Sequence, residues 1–380
     1  MAKVISKELK FGPYKVLGKA IATGGMAQVY KVENADGETF VAKAILPQYL
    51  KDRRKKARFL AEFEYLQKIS SDIVVKPKEI VDEKGVCCLI LEYIDGIELT
   101  KIVKKIAPIN RGAATHIILE LCKALDECHE KGIYHRDIKP ENILISKSGE
   151  VRLIDLGVVR HVDTKRTLPG TVLGTLDYMA PEQIEGERSD VSNTTDLYAL
   201  GVILYELLSK KLPIRFTAKD GIIDVYKKKR EKLPKPGKLE DLDLETIILE
   251  LIQADPSDRI QDVLELEGKL LKSTNRRKVK KAYKTFLDRF SDTFYEDKAS
   301  KKASQKTGQK KPSPKKDVKQ IEEQESIPEI LVSNPEEHKA FFVMIGFTFI
   351  LLVLLVVGHF QNWWDLIGIG SGIISKVKSL

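Results

Sequence analysis

"GIYHRDIKPENILI" (residues 132–145) sets His135, Arg136, Asp137, Lys139, Glu141 and Asn142 between two apolar ends. The preceding stretch, "ATHIILELCKALDECHEKGIY", has apolar residues at 117, 118, 121, 125 and 128, the spacing of one helix face, and Gly132 is a usual C-terminal stop. "NILI" reads as a short strand and "EVRLIDLGVV" (150–159) as another running into Asp155, so His135–Asn142 is a loop. Two acids and an asparagine on loops beside adjacent strands converge as a magnesium–phosphate site should. Asn142 and Asp155 would supply hard oxygen ligands. Asp137 would accept the proton of an attacking hydroxyl, and Lys139 would neutralise charge on a transferring phosphoryl group.

The rest of the chain gives that loop a setting. At 380 residues, 43% hydrophobic and 31% charged, it has the composition of a globular protein with ample core. The formal charge of +9 is local: residues 276–319 hold 16 Lys/Arg against 5 Asp/Glu, so the remainder is slightly acidic. The basicity therefore says little about the main domain's ligand. Four cysteines are too few for a disulfide scaffold and fit no metal spacing; they read as buried thiols of a reducing cytosol. Cys87 and Cys88 are adjacent in an apolar strand and should face opposite ways. The first twenty residues hold no apolar run of signal-peptide length.

Three N-terminal stretches carry further signals. "VLGKAIATGGMAQVYKV" (16–32) places Gly24-Gly25 between strand-like flanks. It is either a plain hairpin turn or one whose backbone amides approach a polyphosphate. "TFVAKAIL" (39–46) sets Lys43 in an apolar strand, where an inward ammonium needs an anionic partner and an outward one does not. "RKKARFLAEFEYLQKI" (54–69) is helical, with Phe59, Phe63, Leu66 and Ile69 on one stripe and Glu62 and Glu64 flanking it.

Taken in order with "DLG" (155–157) and "APE" (180–182), these stretches resemble a eukaryotic-type (Hanks-type) Ser/Thr protein kinase over about 14–271. The "GGM" turn and "GTLDYMAPEQ" are most similar to bacterial members, many of them membrane-anchored. The resemblance implies an α+β, bilobal protein-kinase fold with a small β-rich N-lobe and a larger helical C-lobe. It implies ATP and Mg²⁺ (or Mn²⁺) as cofactors and proteins as substrates. Lys43 would hold the α/β phosphates, paired with Glu62 or, failing that, Glu64. Ala22, Gly24, Gly25 and Val29 would cover the nucleotide. Leu91 would be the gatekeeper, with Glu92 and Ile94 offering hinge backbone to adenine. Asp137 matches the catalytic base, Lys139 the phosphate-contacting lysine, and Asn142 and Asp155 the metal ligands. Asp196 matches the aspartate that supports the catalytic loop, and Glu182 and Arg259 a buried structural ion pair. Thr175 would contact Asp137 and Lys139. Arg136 would await a phosphate on the activation loop, with Thr167 and Thr171 as autophosphorylation sites.

Two departures stand out. The expected G-x-G-x-x-G has alanine at Ala22 and Ala27, which would weaken ATP binding at most, and Leu156 replaces the family's usual phenylalanine. Two other function classes compete with an active kinase: a binding-only pseudokinase scaffold, and a kinase of the same fold acting on a small molecule. Lys43, Asp137 and Asp155 all stand against the first, and an intact segment ending in "APE" against the second.

Beyond the kinase-like part, "RRKVKKAYKTFLDRFSDTFYE" (276–296) places Val279, Tyr283, Phe286, Leu287, Phe290 and Phe294 on one helical face. That face is expected to dock on the large lobe; an anionic membrane surface is the alternative, and no base-reading fold supports a nucleic-acid role. "AFFVMIGFTFILLVLLVVG" (340–358) is nineteen uncharged residues, about 28 Å of helix, the thickness of a bilayer's hydrocarbon. Trp363 and Trp364 follow as an interfacial belt would. The expected organisation is an N-terminal extension (1–13), a kinase domain (14–272), a basic helix and Lys/Ser/Pro linker (273–339), a transmembrane helix (340–358) and a far-side tail (359–380) too short for a sensor domain. The kinase would face the cytoplasm, with self-association serving autophosphorylation in trans.

Overall fold

The computed structural model describes residues 9–83, 85–156, 176–185, 191–217, 219–231 and 242–296. Short alternating strands build its N-terminal part: β1 (Lys10–Phe11), β2 (Tyr14–Val16), β3 (Ala22–Thr23), β4 (Ala27–Glu33), β5 (Thr39–Ile45), β6 (Pro77–Glu83) and β7 (Val86–Glu92). They form one antiparallel sheet in the order β1-β2-β4-β5-β7-β6, with β3 pairing on β4. The period of two sorts side chains onto two faces. Val32, Ala42, Cys88 and Ile90 join Phe11 and Tyr14 in a small cluster on one side. Ala27, Ile45, Cys87, Leu89 and Leu91 enter the main core on the other. The two adjacent cysteines thus do face opposite ways, and all four thiols are buried and free.

Helix α1 (Arg53–Gln67) covers the second face. It starts where Asp52 accepts hydrogen bonds from the Arg54 and Lys55 amides at 3.1 Å, and its stripe of Phe59, Phe63 and Leu66 is buried. That stripe carries Glu62 inward with it.

The C-terminal part is helical. A three-stranded sheet of β8 (Gly96–Glu98), β9 (Ile143–Ser146) and β10 (Val151–Leu153) lies at its edge, in the order β10-β9-β8. Helices α2 (Leu99–Ile106), α3 (Arg111–Glu130), α4 (Pro181–Glu185), α5 (Asn193–Ser209), α6 (Ile222–Arg230), α7 (Leu242–Leu251) and α8 (Val263–Ser273) follow. Asn110 caps α3 through the Ala113 amide at 2.8 Å and Asp262 caps α8 through Glu265 at 2.7 Å. Helix α5 is apolar nearly all round and accordingly central. It crosses α7 closely at Gly201, where a Cβ would stand 2.6 Å from that of Leu251.

Helix α9 (Arg276–Ser291) and the π-helical turn Asp292–Glu296 pack on the C-terminal part. Val279, Tyr283, Phe286, Phe290 and Phe294 are buried, while Leu287 is only partly so. The stripe therefore docks on the large lobe, the first of the two expectations. One strand boundary differs from expectation: β10 stops at Leu153, short of Asp155, because Asp155 has φ 64°, outside the extended region. Among the described residues no helix is long and apolar enough to cross a membrane; residues 340–358 lie outside them.

Candidate active site

The quoted loop folds around one buried carboxylate. Asp196, in the first turn of α5, accepts the amide hydrogens of His135 at 2.9 Å and of Arg136 at 2.8 Å. His129 at the end of α3 shares the same carboxylate at 2.9 Å. Arg136 takes φ 63°, which turns the chain so that Asp137 points into the site, and Gln183 of α4 holds its carbonyl at 2.8 Å. Asp137 in turn meets Lys139 at 3.1 Å and receives the Asn142 amide at 2.8 Å on its carbonyl and 2.9 Å on its carboxylate. Since the Asn142 NH₂ group donates both of those bonds, its side-chain carbonyl is the end left for a hard cation.

Asp155 arrives from the other strand of the hairpin. The Ile154 amide donates to the Asn142 carbonyl at 2.8 Å, so the two residues sit at one hairpin base. From the N-terminal sheet, Lys43 reaches both Glu62 oxygens at 2.7 Å and also contacts Asp155. Burial opposes the Lys43 charge, but Asp155 and Glu62 outweigh it and hold its pKa above the ordinary lysine value. Desolvation pushes Glu62 up to about 7 despite the pull of Lys43. Val29 and Leu89 are the register partners of Lys43, so they share its face of the sheet.

At the connection between the parts, Leu91 is buried and Ile94 is packed on the core. The Glu92 amide is committed to the Lys76 carbonyl at 3.0 Å, and its side chain accepts the Lys76 amide at 2.7 Å and an ion pair from Arg152. Ala22, Gly24 and Gly25 are exposed around a tight turn in which the Gly24 amide donates to the Ala27 carbonyl at 2.8 Å. Leu156, in place of the family's usual phenylalanine, is buried in the main core. Arg259 grips Glu182 with both NH groups, at 2.7 and 2.8 Å. A cleft lined by Arg136, Asp137, Lys139, Tyr178, Met179 and Gln183 opens beside the carboxylate of Asp137.

A protein kinase domain model matches residues 15–267. The chain belongs to the protein kinase family. Within that family it is 31% identical over 268 residues to "Probable serine/threonine-protein kinase PknB" of Lactococcus lactis, a match covering 69% of this chain and 42% of that one. It is also 31% identical over 262 residues to serine/threonine-protein kinase PknD of Mycobacterium tuberculosis, covering 68% and 39%. This kinase thus aligns with only about two-fifths of the length of these relatives. The crystal structure of the Mycobacterium tuberculosis PknI kinase domain shares its fold, with a TM-score of 0.54 at 22% identity over 72% of this chain and all of that one. The sheet-bearing part is the N-lobe and the helical part the C-lobe.

Several contacts of this kinase site escape the sequence. Nothing in the spacing joins Lys43 to Asp155, 112 positions apart, or Arg152 to Glu92, 60 apart. The Gln183 bond to Arg136 has no local signal either. Thr167, Thr171, Thr175 and Gly157 lie outside the described residues.

Proposed function

We propose that this kinase transfers the γ-phosphoryl group of ATP to serine or threonine hydroxyls of proteins. The observation that carries the reading is the convergence of Asp137, Lys139, Asn142 and Asp155 beside the Lys43–Glu62 pair. The donor set fits Mg²⁺ or Mn²⁺ bound together with nucleotide. It is all oxygen, and among the described residues no group of three or more His, Cys, Asp or Glu side chains could hold an ion by itself. Magnesium is held in just that way, by one or two protein oxygens plus phosphates. Asn142 and Asp155 would hold the metal, which when bound neutralises phosphate charge.

The chain's own groups then divide the work. Lys43, oriented by Glu62, would bind the α/β phosphates, with Ala22, Gly24, Gly25 and Val29 above the nucleotide and Leu91, Glu92 and Ile94 against adenine. Asp137, fixed by Asn142, would take the hydroxyl proton as the oxygen attacks. Lys139, 3.1 Å from that carboxylate, would stabilise the transferring group. Asp196 would hold the loop that makes this possible, and Glu182–Arg259 the lobe beneath it.

The reading extends to regulation and place. The Arg136 Nε has no hydrogen-bond partner among the described residues, which supports a phosphate from Thr167 or Thr171 docking there. The uncharged run 340–358 supports a single-pass anchor through the bilayer, with the kinase domain in the cytoplasm where ATP is supplied and copies able to act on one another. Radiolabel transfer from γ-labelled ATP onto the chain and onto a generic protein substrate tests the whole. Asp137→Asn should lower incorporation by about 10³-fold, the scale of general-base loss. Mass spectrometry of the same samples should find phosphate on Thr167 or Thr171 only where Asp137 is intact. Equal incorporation by both chains would sink the assignment.

A further inference from the structure

Helix α9 begins after residue 267, where the family match ends, and its buried face does two separate things. Its first turns pack against α3: a Cβ built on Gly112 would lie 2.5 Å from that of Ala282, and Asn110 donates to the Ala282 carbonyl at 3.4 Å. This is helix-on-helix docking, and it needs only shape. Further along, the Tyr283 ring still lies on His116 of α3, 3.9 Å between centroids, while its hydroxyl end and Leu287 reach the β9–β10 hairpin. The Tyr283 hydroxyl donates to the Gly149 carbonyl at 2.7 Å, and Leu287 covers the same residue. Gly149 has φ 89°, a backbone that favours glycine, and a Cβ there would stand 2.5 Å from Leu287 Cδ1, so the leucine packs directly over the bare Cα.

That turn is the far end of the element whose base carries Asn142 and Asp155. Paired strands make the hairpin stiff: Val151, Arg152 and Leu153 face Ile145, Leu144 and Ile143 in register. At the turn, the Lys147 amide donates to the Asp95 carbonyl at 2.9 Å, beside the connection between the lobes, and the Lys147 ammonium lies 5.6 Å from the Tyr295 ring. A tilt at Gly149 would be passed along these pairs toward the base, where ångström errors matter to an ion that demands close geometry.

We propose that Tyr283 and Leu287 are positioning residues, which hold the Gly149 turn so that Asn142 and Asp155 stay placed for a divalent cation bound with nucleotide. The inference rests on the reading of Asn142 and Asp155 as the metal-binding pair. It makes the segment 276–296 part of the catalytic unit rather than the first part of a linker.

The test is calorimetric titration of the full chain with ADP, once with Mg²⁺ and once with EDTA. Wild type should bind more tightly with Mg²⁺, and Asp155→Asn should lose that gain. Tyr283→Phe, which removes only the hydroxyl, should weaken binding with Mg²⁺ by about three- to tenfold, the worth of one hydrogen bond, and leave binding in EDTA unchanged. Leu287→Ala should act in the same direction. Val279→Ala, on the part of α9 facing α3, should lower Tm while keeping the wild-type ratio of the two affinities. If wild type responds to Mg²⁺ and both Tyr283→Phe and Leu287→Ala respond equally, the positioning role is wrong and the site reading survives. The positioning role fails in the same way if Val279→Ala shifts the ratio as much as they do. A wild-type affinity indifferent to Mg²⁺ would overturn the site reading and this inference together.

Discussion

Arg259 and Glu182 meet in the C-lobe with nothing left over. The guanidinium spends its five N–H donors on the two Glu182 oxygens and the carbonyls of Gln253, Thr194 and Ala254, at 2.7 to 3.1 Å. Thr195 adds a hydroxyl to Glu182 at 2.8 Å. In the N-lobe, Lys43 meets two carboxyl groups, Glu62 and Asp155, so its single charge is shared between two acidic partners. The first pair is electrically closed and fixed by geometry. The second is open, and burial pushes Glu62 up to about 7 despite the pull of Lys43. A structural ion pair saturates its donors, whereas the proposed site for polyphosphate and metal leaves acidic oxygens to spare.

Breaking the closed pair should have the largest effect. Arg259→Ala leaves Glu182 buried and uncompensated and should cost about 3–5 kcal/mol of stability. Urea unfolding measures it, and a loss under about 1 kcal/mol would show that the pair is dispensable. Opening the other cluster should separate activity from stability. Lys43→Met should cut phosphoryl transfer by about 10²–10³-fold, on the scale of losing one preorganised charge, with a smaller stability loss than Arg259→Ala because Glu62, already at about 7, can take up a proton once its cation is gone. Glu64→Gln is the control on the same helix, since Glu64 is exposed while Glu62 is buried. Equal loss of activity in Glu64→Gln would erase the distinction between the two glutamates.

A third buried charge sharpens the comparison with a smaller effect of opposite sign. Lys229 on α6 is 1% exposed, and among the described residues its ammonium donates to the Asp177 carbonyl at 3.0 Å and the Tyr198 hydroxyl at 3.4 Å, with the Tyr198 and Phe216 rings about it. Desolvation lowers its pKa from 10.5 to about 7. Between those values the unfolded chain binds the proton and the folded chain does not, so stability should rise with pH across that window. Lys229→Met should flatten the rise and stabilise the protein at pH 7 by about 1 kcal/mol or more. Urea unfolding at about pH 7 and about pH 9.5 reads both quantities, and a pH slope kept by the variant would place the titrating group elsewhere.

What the sequence made legible follows from how local its signals are. The apolar stripe of Phe59, Phe63 and Leu66 on α1 is readable, but it leaves Glu62 and Glu64 both flanking it; the family resemblance put Glu62 first, and Glu62 is the one buried with the stripe. The Asp196 bonds to the loop amides, and the Glu182–Arg259 contact, join residues that the family resemblance singled out in advance. Lys229 gave no warning: "IIDVYKKKR" reads as an amphipathic helix with four basic residues in a row, and only the tertiary packing decides which one is inside. The docking of α9 was legible as an apolar stripe, but not the tyrosine hydroxyl that crosses to Gly149, because a hydrogen bond spanning 134 positions has no sequence period.

The left-handed backbone of Arg136 and Asp155 bears on how this protein can change. Each is a residue with a Cβ held at φ 63° or 64°, a conformation that costs about 1–2 kcal/mol and that glycine would adopt freely. Laboratory selection for thermal tolerance alone should thus be drawn to glycine or asparagine at these two places, and would be removing the side chains the proposed chemistry uses. Stability screens and activity screens on this protein should pull in opposite directions there, and a design protocol that rewards relaxed backbone should be barred from both positions.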